Sequence, residues 1–143
     1  MTGRDRVVVV GVDGSDASVA ALRHALAYAD GSATEVEVVT AWGGGDSSRE
    51  LRHAARRAAL RAQGAVMARD ARQIEVQVPV SALLVEGHPE EVLVGAARGA
   101  HRLVLGAPTL HPGRLHHVCL RRATCPVVLV PAADPAVRAR SAS

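Results

Sequence analysis

Asp13 stands between an unbroken apolar run, Val7 to Val12, and an amphipathic helical pattern that begins almost at once after Asp13-Gly-Ser-Asp16. A carboxylate at the exit of a buried strand fits a ligand site, because the crevice of an open α/β sheet lies beyond the carboxyl ends of its strands. The same four residues also turn a chain and cap a helix well, so a purely local role for Asp13 stays open at this point. Ser15 has no base or oxyanion partner identifiable in the sequence. Neither a G-x-S-x-G elbow nor a Walker A loop is present, which leaves hydrolysis unsupported. His111, His116 and His117 invite a metal ion, but adjacent histidines on a helix point about 100° apart, and no carboxylate lies near them in sequence. They are expected at the surface. Cys119 and Cys125 match neither a redox C-x-x-C pair nor a zinc pattern and are expected to be inert thiols.

The elements that position Asp13 are read from periodicity. A continuous apolar run predicts a strand over 7–12 buried on both faces. Val19, Leu22, Leu26 and Ala29 share one face of a helix over 16–29, which Gly31-Ser32 ends. A second strand is predicted over 35–42, followed by a loop of glycine, aspartate and serine. An Ala- and Arg-rich helix over 49–69 carries Leu51, Ala55, Ala58, Ala62 and Ala65 as its inner stripe, and its arginines are expected to face solvent. Residues 74–85 alternate as a third strand, with Pro79 favouring an edge position or a bulge. Pro89 then sits in the first turn of a helix. A short strand over 103–106, a helix over 114–122 and a last strand over 126–130 complete the chain. This βαβαβαβαβ order predicts α/β architecture, a doubly wound parallel sheet. One domain over 1–131 is expected, with a short polar tail over 132–143.

With 48% apolar residues among 143, the chain has enough for a single core, and since Phe is absent that core must be Val, Leu and Ala. All 17 basic residues are arginine, set among 14 acids for a net charge of +3. So small an excess, with only Trp42 and Tyr28 as aromatics, argues against nucleic acid. No stretch approaches the ~18 apolar residues of a membrane span. No membrane association and a cytoplasmic location are therefore expected.

Three segments in order resemble the universal stress protein family over nearly the whole chain. GVDGSDASVAALRHA is similar to the family's opening strand, serine-bearing turn and A-L-x-x-A helix. Gly87-His88-Pro89-Glu90-Glu91-Val92-Leu93 matches its G-x-P-x-x-x-[ILV] element. LVLGAPTLHPG and Leu120-Arg121-Arg122-Ala123-Thr124-Cys125-Pro126-Val127 match its closing strand, loop and helix. The resemblance implies a Rossmann-like five-stranded sheet of order 3-2-1-4-5 with helices on both faces. Asp13 and Gly106 then face one crevice at the switch point. In nucleotide-binding members the aspartate and the backbone at the end of strand two, here Ala41, hold the adenosine. The phosphates lie on a loop reading G-x-x-G, nine residues, G-[ST].

The chain departs from that loop. Gly106 and Gly113 correspond to its first and last glycines but are only seven positions apart, Thr109 or nothing takes the second glycine's place, and Arg114 replaces the serine or threonine. Pro108 and Pro112 remove N–H donors. Either Arg114, with His111 or His116, replaces some backbone donors toward a shorter nucleotide or another anion, or the loop closes the crevice. The expected protein is thus a non-enzymatic stress-response or regulatory homodimer with reduced or absent ATP binding, joined through the last strand, Pro126 to Val130. The alternative is an adenine-nucleotide switch taking ATP, ADP or AMP with magnesium. No catalytic residue and no protein metal site are expected. Gly106→Val is expected to block the crevice while leaving folding mostly intact.

Overall fold

The computed structural model describes residues 3–45, 48–71, 77–107 and 113–132. After a 3-10 turn at Gly3–Arg6 come β1 (Val7–Gly11), α1 (Asp16–Ala29), β2 (Glu35–Trp42), α2 (Arg49–Ala71) and β3 (Val80–Glu86). The chain continues through α3 (Pro89–Ala96), β4 (Arg102–Ala107), α4 (Arg114–Arg122) and β5 (Val127–Pro131). All four strand pairings are parallel, and the order is β3-β2-β1-β4-β5. The chain therefore reverses direction between the neighbours β1 and β4, as the resemblance implies.

β1 has no solvent face. Val8, Val10 and Val12 pack with Leu22, Leu26 and Val66 under α1 and α2, while Val7 and Val9 pack with Leu93, Leu103 and Cys119 under α3 and α4. Burial on both sides is what a continuous valine run supplies, and it places helices on both faces. Arg4 closes the lower edge of the second face, donating to both Glu37 carboxylate oxygens at 3.2 and 3.3 Å and to the Ala96 carbonyl.

Several expectations are corrected. The stripe of α2 does not include Leu51, which is 62% exposed, or Ala58 and Ala65, which are also exposed. Gln63 and Val66 are its buried residues, with Ala55, Ala59, Ala62 and Met67 half-buried beside them. An Ala–Arg helix has little hydrophobic contrast to set its rotation. Here a specific polar contact sets it, with Gln63 donating to the Thr40 hydroxyl at 3.2 Å and the Leu83 carbonyl at 2.8 Å. The third strand starts at Val80, later than alternation predicts. It is an edge strand, and Pro79 lies just ahead of it, its carbonyl accepting from the Val36 N–H at 2.9 Å. Residues 72–76, where the strand was expected to begin, and 133–143, most of the expected tail, lie outside the described residues. Among the described residues no helix is long and apolar enough to cross a membrane.

Candidate functional site

β1 must stop where it does because its next residues change roles. The Val12 N–H still joins the ladder, donating to the Val39 carbonyl at 3.0 Å, but Gly14 turns the chain at φ 93° and Ser15 opens α1. Ser15 is the N-cap: its hydroxyl accepts from the Ser18 N–H at 3.2 Å, and the Ser18 hydroxyl returns to the Ser15 carbonyl at 2.8 Å. Asp13 accepts the Ser15 N–H at 2.9 Å. Burial pushes the Asp13 carboxyl up, but the hydrogen bonds from Ser15 and Ser18 outweigh it and hold the group below the usual carboxylate range. The carboxylate is thus charged and oriented at the rim. Both roles left open by the sequence are present at once, a local turn and a wall of a cavity.

That cavity has a volume of about 370 Å³ and lies where β1 and β4 part. Its size falls in the range of small-molecule sites. Asp13, Ser15 and Ser18 give it a polar rim, and Val12, Val39, Pro89, Leu93, Leu105 and Leu115 an apolar body. Of the residues singled out in the sequence, Asp13, Ala41 and Gly106 line it. Gly106 does so against the backbone of α1: a Cβ there would meet the Ala17 carbonyl carbon at 2.4 Å and its oxygen at 2.5 Å. The expectation that Gly106→Val spares the fold is therefore corrected, since this glycine lets β4 and α1 touch. Arg114 does not line the cavity. Its side chain is 85% exposed and its Nε lies 3.6 Å from Glu90 Oε1. Thr109 and His111, together with Pro108 and Pro112, lie outside the described residues.

His116 overturns the expectation of a surface histidine. It is buried, lines the cavity and uses both ring nitrogens. Nδ1 accepts the Gly113 N–H at 2.9 Å, and Nε2 lies 2.7 Å from the Gly106 carbonyl oxygen. Gly113 thus meets His116 instead of standing in the cavity wall. A side chain at the third helical position reaching back to the N-cap amide is half of a capping box. The spacing from Gly113 to His116 was the sequence signal for it, but the second bond, to a residue on another element, has no local signature. His117 is exposed, as expected. Burial, with the Glu90 charge adding to it, pushes the Cys119 thiol up to about 11, and burial also raises Cys125 against its backbone hydrogen bonds. Both are free, unreactive thiols. Among the described residues no group of three His, Cys, Asp or Glu side chains could hold a metal ion.

Against this geometry, a family model described as the universal stress protein family matches residues 6–131. Among solved structures, a universal stress protein family member from Burkholderia pseudomallei is 28% identical, with a TM-score of 0.70, covering 92% of this chain and 100% of that one. A universal stress protein crystallised in complex with cAMP is 24% identical, with a TM-score of 0.60, covering 90% and 98%. A family protein from Arabidopsis thaliana with AMP bound is 18% identical, with a TM-score of 0.63, covering 89% and 92%. No curated protein matches the chain.

Proposed function

Because the chain belongs to the universal stress protein family, with residues 6–131 matching its model, we propose that it is a non-enzymatic regulatory homodimer whose cavity takes a compact adenine nucleotide and disfavours ATP. Two relatives of the same fold carry AMP and cAMP, which supports adenine-nucleotide binding as a class. The observation that carries the finer reading is at the foot of α4. The segment from Gly106 to Gly113 is short in sequence, and the Gly113 amide, which the family pattern would use near phosphate, is given to His116. An apolar body with a charged Asp13 at its rim suits a nucleoside with its ribose toward the carboxylate. A triphosphate would meet a carboxylate and a short loop in which Pro108 and Pro112 carry no N–H. In this reading magnesium enters with the nucleotide phosphates and not at a protein site. The non-enzymatic role is supported by Ser15, whose hydroxyl is committed to capping α1.

Thermal shifts with AMP, ADP and ATP, each with and without magnesium, test the reading. A ligand at 100 times its dissociation constant stabilises by about 2.7 kcal/mol, so AMP should raise the midpoint clearly and ATP at equal concentration much less. Equal shifts for all three would restore the alternative of a general ATP, ADP and AMP switch.

The dimer is assigned to β5, which pairs with β4 on one side and is the last strand of the sheet. Val127, Val128, Leu129 and Val130 are each half-buried, and a short apolar edge of this kind is best covered by a second copy. Leu129→Arg should convert the dimer to monomer in sedimentation velocity. An unchanged sedimentation coefficient would remove β5 from the interface.

A further inference from the structure

His116 is a buried titratable group that the proposed function uses only as an obstacle, yet its bonds depend on its protonation state. Gly113 N–H can only donate, so Nδ1 must be unprotonated, and Nε2 then carries the hydrogen that Gly106 O accepts. One tautomer of neutral imidazole satisfies both bonds. Protonation puts a hydrogen on Nδ1, facing the Gly113 N–H, and that contact becomes a clash of two donors.

We infer that His116 is a protonation-dependent latch between the end of β4 and the start of α4, and the residue that sets how the cavity treats an anionic ligand. In the neutral state the latch holds Gly106 to Gly113, and the cavity's charged group is Asp13. In the protonated state the Gly113 amide is released and the wall of the cavity that Asp13 also lines gains a cation. Acidification should therefore raise the cavity's preference for a phosphorylated nucleoside over a neutral one.

The charged neighbours agree with this direction. From the turn after β1, Asp13 remains ionised because its carboxyl is held low. From α3, the half-buried Glu90 pairs with the exposed Arg114 at 3.6 Å, and its negative charge, which also acts on Cys119, favours a protonated His116. On α4 itself, Cys119 stays a neutral thiol and His117 points to solvent. The residues of β4 that line the cavity, Leu105 and Gly106, carry no charge. The latch stands on its own geometry, whereas its effect on affinity rests on the adenine-nucleotide reading.

Two measurements separate them. In the ligand-free, 15N-labelled protein, ring and amide spectra from pH 8 to 5 should show the Nε2–H tautomer of His116 at pH 8. The Gly113 amide resonance should lose its hydrogen-bonded position in step with the ring's titration. His116→Gln, which can still donate to Gly106, should show no such inflection. An Nδ1–H tautomer at pH 8, or a Gly113 amide that ignores the ring, overturns the latch. In the second measurement, AMP and adenosine are titrated at pH 8 and 5.5. The preference for AMP over adenosine should rise at least about threefold more on acidification in the native protein than in His116→Gln, the effect of one unit charge about 6 Å away at a water-like dielectric constant. AMP's own titration is common to both proteins. Equal changes in the two overturn the charge effect. A clear latch signal with no AMP binding at either pH overturns the nucleotide reading and keeps the latch.

Discussion

Gly106→Val is expected to destabilise the chain by more than about 3 kcal/mol, the upper end of ordinary overpacking, and Gly106→Ala by about 1–3 kcal/mol. The reason is the proximity of α1. A Cβ at Gly106 would sit 2.4 Å from the Ala17 carbonyl carbon and 2.7 Å from its Cβ, and a backbone atom in the first turn of a helix cannot swing aside as a side chain can. Relief would require β4 to part from α1. That movement would break the contact of Val104 with the cluster formed by Val8, Val10, Leu22 and Leu26. A urea midpoint lowered at unchanged slope is the expected reading for Gly106→Ala. An unchanged midpoint would mean that β4 and α1 are not in contact at this residue, and the cavity wall described here would be misplaced with them.

Leu105→Ala should cost about 3 kcal/mol, within the 2–5 kcal/mol range for emptying a leucine site in a packed core. Leu105 is 2% exposed and faces α3 and α4 together with Val9, Leu93, Leu103 and Cys119. Its neighbour across the sheet is Gly11, where a Cβ would lie 2.7 Å from Leu105 Cδ2, so the leucine fills the place that a larger residue at Gly11 would occupy. Because Leu105 also lines the cavity, truncation should enlarge it and weaken AMP beyond what the loss of stability accounts for. Chemical denaturation and AMP titration of the same variant check both parts. A variant as stable as the native chain would show that the cavity wall and the core are separate structures.

The fold is legible in this sequence wherever burial is one-sided or complete. Val7 to Val10 announce a doubly buried strand, and α1 and β2 begin and end where periodicity places them, because their apolar residues contrast sharply with their neighbours. Contrast fails in α2, where alanine is acceptable on any face and the bond from Gln63 to Thr40 decides the rotation. It fails again ahead of β3, where alternation begins several residues before the pairing that starts at Val80.

The cavity is legible in part for a related reason. Asp13, Ala41 and Gly106 lie at or just beyond the carboxyl ends of their strands, and these ends in a parallel sheet share one edge. Arg114 is drawn toward the cavity by its place after the loop's last glycine and at a helix start, and its exposed position beside Glu90 answers to charge pairing with α3. His116 was hidden because its role depends on a carbonyl ten residues earlier on another element, a contact that neither composition nor period encodes. Leu93 and Leu115 serve as core and cavity wall together, and Pro89 lines the cavity beside them.

On the proposed reading, the cavity holds a nucleoside but gives a long phosphate chain few partners. Calorimetric titration of AMP and ATP into the same ligand-free protein, at pH 8 with magnesium present, measures it most directly. AMP binding at least about tenfold tighter than ATP, a difference of about 1.4 kcal/mol, is the predicted result. ATP binding as tight as AMP or tighter would contradict it.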